Sequence, residues 1–337
     1  MMNTRLPGME VHVSPLSRRL TSWKRLWIVS TVLLVVLGAL RGWRLHDSEP
    51  RYQGRPVSYW LYKAAGGGNP QAWQVLKQTG PDAVPYLLRT IRTNKGPCFR
   101  DRTYGLRVKL WTKLPSSLQK VVPVPVCTGV LRVAAVGVLD EIAPRVKPPL
   151  AEILPLINDT NEIEIVRIHA YSVISKLGTD AKASIPTLIR IVKSAQVEDQ
   201  DGISAAWVLG EIGMEDRITV AAALNEALAH NPDPAFRVHA ATALWKVDRQ
   251  TNAAVQVLSQ SLRQLLSRPW SKGPDGQTEG LAAMRAIEVL GQIGPAADEA
   301  VPVLTNAVAH FSVPIKTNAI EALERIAPES VKASRSD

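Results

Sequence analysis

Apolar residues recur along this chain at helical spacing. In residues 167–189 (RIHAYSVISKLGTDAKASIPTLI), Ala170, Val173, Ile174 and Leu177 fall at i, i+3, i+4 and i+7, one face of a helix. Gly178 supplies a C-terminal stop, and Thr179 and Asp180 make a short polar turn. A second apolar run begins at Ile185, with Pro186 in its first turn, where a missing N–H leaves no bond unmade. The pattern predicts a helix–turn–helix hairpin whose apolar face is too small to stand alone.

The same hairpin repeats. Aligned on the last apolar residue of each first helix (Ile142, Leu177, Ile212, Val247, Ile293 and Ile326), the copies are spaced by 35, 35, 35, 46 and 33 residues. Seven positions earlier every copy has alanine: Ala135, Ala170, Ala205, Ala240, Ala286 and Ala319. Three positions earlier stands Leu139, Ile174, Leu209, Leu244, Leu290 or Leu323, and eight later Leu150, Ile185, Val220, Val255 or Val301 opens the second helix. A small residue at one fixed position lets neighbouring helices approach closely, so the hairpins are expected to stack at constant distance. Residues 70–92 fit the pattern loosely, with Ala72, Leu76 and Thr79 in register. The copy ending at Ile212 departs most: Gly202 stands where Arg132, Arg167 and Arg237 stand in other copies, and Ala221 replaces the proline of the second helix. The long step carries its extra residues around 267–279 (SRPWSKGPDGQTE), a loop by composition.

Ahead of the array the pattern changes. Residues 1–25 are a basic leader. Residues 26–40 (LWIVSTVLLVVLGAL) carry no charge, and extending the helix outward to Trp23 and Trp43 gives about 31 Å if Lys24, Arg25 and Arg41 snorkel. Residues 26–43 are therefore expected to form a single-pass transmembrane anchor. A cleavable signal peptide is the rival reading, opposed by the long leader and by Arg41 directly after the apolar run. Flanking basic residues balance on the two sides, and Arg5 tilts the orientation towards an array outside the cytoplasm. Residues 44–57 read as a polar linker, and 58–93 as atypical N-terminal helices with the first repeat, Ser58 being the candidate N-cap. Residues 94–128 are a basic insert, in which Leu106, Leu110 and Leu114 suggest one helix ended by Pro115. The array proper spans 129–337.

Charge follows this division. The chain is formally +10, yet residues 129–337 are net −5, so the basicity is N-terminal and the repeats disfavour nucleic acid. The two cysteines, Cys98 and Cys127, both fall at the insert and either pair as a disulfide or stay unrelated thiols. No metal-ligand spacing, nucleophile elbow or phosphate-cradling glycine loop occurs, so no catalytic, metal or cofactor residues are assigned and no cofactor is expected. His169 and His239 share one repeat position, about 20 Å apart at two helix layers, which sets them too far apart for joint ligands.

The position before each alignment residue reads Glu141, Lys176, Glu211, Lys246, Gln292 and Arg325, an alternation expected to make a charge ladder between repeats. Trp207 and Trp245 fall on the outward stripe of neighbouring copies. They are read either as anchors for a protein partner or as fillers between repeats. With Glu211 and Lys246 they form the candidate partner-binding site.

The unit resembles a HEAT repeat, in particular the bacterial repeats grouped with phycobilisome lyases. The resemblance rests on Arg167-x-x-Ala170…Leu177-Gly178…Ile185-Pro186-x-Leu188-Ile189 and on Ala286…Leu290-Gly291-x-Ile293-Gly294-Pro295…Val301-Pro302-Val303-Leu304. It covers residues 130–328 well. With the leader, the apolar run and residues 52–61 (YQGRPVSYWL), the layout is similar to membrane-tethered bacterial HEAT-repeat proteins. The resemblance implies an all-α solenoid of stacked hairpins behind one transmembrane helix, sited in the bacterial inner membrane. Because such folds serve many roles, the functional expectation is a non-catalytic, membrane-anchored scaffold for a protein partner. A bilin or tetrapyrrole lyase or isomerase and a nucleic-acid-binding protein are the alternatives.

Overall fold

In a computed structural model the described residues are 49–67, 69–93, 104–115, 125–267, 274–310 and 314–329, with Ser30, Leu33 and Leu118. The chain divides into two units, Met1–Ser58 and Tyr59–Asp337.

The described part of the first unit is a small device rather than the expected featureless linker. Strands β1 (Arg51–Tyr52) and β2 (Arg55–Pro56) pair antiparallel across Gln53 and Gly54, both at positive φ, as a two-residue hairpin turn requires. Helix α1 (Val57–Gly67) starts one residue before Ser58 and from Tyr59 onward belongs to the second unit. Glu49, not Ser58, caps it: the carboxylate accepts the Ser58 backbone N–H and, at 2.9 Å, its hydroxyl. An acid at a helix N-terminus satisfies a free donor and complements the dipole.

In the second unit α2 (Pro70–Lys77) is capped by Asn69, whose side chain accepts from the N–H groups of Gln71 and Ala72. Helix α3 (Val84–Thr93) follows a short 3-10 turn, and α4 (Tyr104–Thr112) lies in the insert. Helix α4 stops short of Leu114 and buries nothing, and Leu106 and Leu110 are exposed. Cys127 caps the next helix through its sulfur and is disulfide-bonded; Cys98, the chain's other cysteine, lies outside the described residues.

The array then runs α5 (Thr128–Val146), α6 (Leu150–Asn158), α7 (Glu164–Leu177), α8 (Ile185–Ser194), α9 (Gln200–Ile212), α10 (Arg217–His230), α11 (Pro234–Asp248), α12 (Thr251–Ser267), α13 (Pro274–Ile293), α14 (Val301–His310) and α15 (Ile315–Ile326). The odd-numbered helices pack side by side as one layer, and the even-numbered ones back them. The six fixed alanines are all fully buried, as are the leucines and isoleucines four residues on, within a few per cent. Gly178 and Gly294, each at positive φ, turn the chain after α7 and α13 into 3-10 segments that feed α8 and α14.

One exception in the repeat has a steric cause. A Cβ on Gly202 would sit 2.4 Å from the Ala195 Cβ, so the arginine of other copies has no room there. Close approach is sharpest between α9 and α11 and between α13 and α15, where a Cβ on Gly210 or Gly291 would lie 2.9 and 3.1 Å from the Cα of Ala243 and Ala322. The predicted loop at 267–279 is shorter than expected: from Pro274 onward it is the start of α13, which is 20 residues long. Proline suits that first position because its missing N–H would be unbonded there anyway.

The all-α expectation holds for the described residues, which apart from β1 and β2 are helices, 3-10 turns and short connections. The expected transmembrane helix does not stand. Among the described residues no helix is long and apolar enough to cross a membrane. The two longest, α5 and α13, each carry four charged side chains, too costly a load for a hydrocarbon core. The predicted span, residues 26–43, lies outside the described residues apart from Ser30 and Leu33.

Candidate functional site

Stacking uses up one side of each odd-numbered helix. The side left over is set by the same register: positions eight, five and one before each alignment residue. These positions line two cavities on the layer. The larger, of about 780 Å3, runs across α9, α11, α13 and α15. His239, Arg285 and Asn318 occupy position eight, Trp207, Glu288 and Glu321 position five, and Gln292 and Arg325 position one. Leu281 and Met284 add an apolar edge, and Leu281 is 60% exposed.

The charges of this groove are mixed. Arg285 is held by Glu288 of its own helix at 3.0 Å, and Glu288 also accepts from Gln292 at 2.9 Å. Desolvation of the His239 imidazole, then the nearby Arg285 charge, lower its pKa to about 4. His239 is therefore neutral at pH 7 and presents a hydrogen-bonding ring rather than a cation.

The smaller cavity, about 340 Å3, lies where α1, α2, α5 and α7 meet. His169 and Gly137 occupy positions eight and five, and Trp73 forms one wall. His169 Nδ1 is 3.0 Å from Asp140 Oδ2, and Lys176 Nζ donates to Asp140 Oδ1 at 2.7 Å and to its carbonyl at 3.1 Å. Burial alone raises the Asp140 pKa. The hydrogen bonds from His169, Lys176 and Ser172 outweigh it, so the carboxyl stays below its ordinary value and ionised.

The residues expected to bind a partner have different surroundings. Trp207 is half-buried in the larger groove. Trp245 stays outside that groove, half-buried, with the Arg249 guanidinium 5.3 Å from its ring centre. Glu211 and Lys246 pair with each other at 2.6 Å between neighbouring repeats. The rest of the expected ladder is broken: Glu141 bonds Lys77 at 3.2 Å, Lys176 goes to Asp140, and Gln292 turns to its own helix. The sequence pattern bears on His169 only in setting it too far from His239 for joint ligation, and it does not single out Asp140. The available signal was that His169 and Lys176 are seven apart on one helix, two turns on the same side, facing an acid in the preceding copy.

Nor does the sequence pattern show what the recurring arginine does. Arg132 bonds buried Glu162 and the Ile91 carbonyl, Arg167 bonds Asp201 at 2.9 Å and the Glu162 carbonyl at 2.6 Å, and Arg237 bonds the Leu228 carbonyl at 2.6 Å. Arg167 and Arg237 tie their helices to the chain entering them, and Arg132 ties its helix to the end of α3 and to the turn before α7, all structural roles. Among the described residues no group of three or more His, Cys, Asp or Glu side chains is arranged to hold a metal ion.

No protein-family model matches the chain, and no curated protein matches it. The class is therefore defined by the molecule itself: an all-α stack of helical hairpins that presents one register of side chains along one layer.

Proposed function

We propose that this chain is a non-catalytic interaction scaffold of HEAT-like repeats, and that a protein partner lies along the odd-numbered helices, seated at the larger groove. The observation that carries this reading is the contrast within one register. The positions that face the stack are uniformly alanine and leucine-like, whereas those that line the groove carry mixed chemistry from copy to copy: Trp207, His239, Arg285, Glu288, Asn318, Arg325. A half-buried tryptophan beside exposed Leu281 and a ring of mixed charge has the make-up of an interface centre with a polar rim.

The test is in-cell photocrosslinking from a light-activated residue at position 321 in the groove, against the same residue at position 218, where Ile218 is 81% exposed on α10. A discrete crosslinked protein from the groove, lost in Trp207→Ala with the helical circular-dichroism signal unchanged, supports the reading. Equal crosslinking from both positions, or a groove product that survives Trp207→Ala, sinks it.

A further inference from the structure

The smaller cavity holds a glycine that packing does not require. Glycine inside a helix is less stable than alanine by about 1 kcal/mol. At Gly210 and Gly291 the cause is visible, since a Cβ would crowd Ala243 or Ala322. Gly137, in the interior of α5, has no such cause. A Cβ there would meet nothing nearer than Trp73 Cη2 at 3.6 Å and His169 Nε2 at 3.7 Å, both ordinary contacts. Alanine would fit, so what glycine preserves is space between the edge of an indole and the edge of an imidazole.

That imidazole is set in advance. The Asp140 carboxylate faces Nδ1 at 3.0 Å, placed to accept its hydrogen, and is itself fixed by Lys176. In the tautomer that donates Nδ1–H to Asp140, Nε2 faces the space as an acceptor, and no described residue donates to it. Ala64, Ala65, Val130 and Val133 are apolar walls, and Asp140 and Glu141 make up the polar side of the cavity. The nearby acid, Glu141, is turned to Lys77. With both carboxylates paired, His169 Nε2 beside an indole and apolar walls suits a flat apolar group carrying one donor, and the volume lies at the small end of ligand pockets.

We propose that this recess binds a phenolic ring, its hydroxyl donating to His169 Nε2 and its face packed against Trp73. The ring belongs either to a free phenol or to a tyrosine side chain of a partner. The proposal stands apart from the groove on α9–α15, whose crosslinking test does not touch these residues.

Ligand-observed saturation-transfer NMR on the full chain tests it, with p-cresol, N-acetyl-tyrosinamide and N-acetyl-phenylalaninamide as probes. We expect p-cresol to bind and the phenylalanine analogue to bind at least threefold more weakly than its tyrosine counterpart, because it cannot donate to the half-buried His169 Nε2. Binding of both hydroxylated probes points to a tyrosine side chain, and of p-cresol alone to a free phenol. Gly137→Ala should weaken p-cresol at least fivefold while raising the melting temperature, which separates loss of the recess from loss of the fold. Lack of binding by p-cresol and N-acetyl-tyrosinamide overturns the proposal. So does equal binding of the tyrosine and phenylalanine analogues, unchanged p-cresol binding in Gly137→Ala, or a lower melting temperature in that variant.

Discussion

Arg132 and Glu162 form an ion pair that water does not reach, their side chains being 1% and 4% exposed. The guanidinium also donates to the Ile91 carbonyl, and Glu162 accepts the Ile163 backbone N–H at 2.9 Å. One arginine on α5 thus ties the end of α3 to the turn that opens α7. Taking two charges out of water is expensive, and their attraction offsets the expense only while both are present. Arg132→Met keeps most of the aliphatic stem and removes the charge. Glu162 is left as a buried carboxylate with one backbone donor, and the Ile91 carbonyl loses its partner. Breaking such a pair costs about 3–5 kcal/mol. Arg132 Nε has no hydrogen-bond partner, so the native pair is imperfectly satisfied and the lower figure, about 3 kcal/mol, applies. Adding Glu162→Gln removes the stranded charge and keeps an acceptor for Ile163, and should recover at least half of the loss. In a linear stack each repeat touches only its neighbours, so the damage is local. Urea unfolding followed by circular dichroism gives the size, and amide hydrogen exchange the place: faster in α3, α5 and α7, unchanged in α13 to α15. A loss below about 1 kcal/mol, or a double variant as weak as the single one, would refute the reasoning.

The exposed pair Lys77–Glu141, 42% and 48% exposed, offers the contrast: Lys77→Ala should change the urea midpoint by the equivalent of no more than about 0.5 kcal/mol. Gly210→Ala should destabilise by about 1–3 kcal/mol in thermal unfolding despite the better helix former, because its Cβ forces α9 from α11. Asp140 is held below the ordinary aspartate value of 3.8, so its stabilisation is complete above that pH and is lost as pH falls through the lower folded value. Asp140→Asn should be less stable at pH 7, and the difference should shrink in acid-unfolding curves below pH 4. His239 stays neutral in the folded chain down to about pH 4, whereas in the unfolded chain it gains a proton near 6.5, so it makes stability fall as pH drops through that window. NMR titration of His239, with His239→Asn flattening the urea midpoint between pH 6.5 and 4, checks this.

What was legible in the sequence, and what was not, follows from how each kind of position is determined. Ala170, Ile174 and Leu177 could be read because burial against a neighbouring copy imposes the same answer six times, and repetition exposes it. The cap on α1 could not, because Glu49 reaches Ser58 only after an Arg51–Pro56 hairpin folds the chain back. The leucine spacing in α4 misled for a related reason: helical period predicts a helix, and an apolar face is buried only where a partner covers it. Trp207 and Trp245 look equivalent in sequence, three positions apart in register, yet one lines the groove and the other meets Arg249.

The same reasoning says where function in such a stack must be sought. A core position is constrained by the copy before it and the copy after it, so it can vary little without breaking both contacts. A groove position answers to neither, and its identity is free to be set by whatever binds there. Asp140 lies between the two cases. It is buried, so its carboxylate must be matched, but its partners His169 and Lys176 come from the next copy and leave one imidazole nitrogen facing a cavity. Replacing His169 by Gln tests whether that matching is its whole purpose. Glutamine can still donate to Asp140, so stability should fall by no more than about 1 kcal/mol in urea unfolding. Binding of p-cresol should nonetheless drop at least tenfold, since the acceptor is no longer placed by a rigid ring. A large loss of stability with p-cresol binding intact would make His169 a strut between two helices and nothing more.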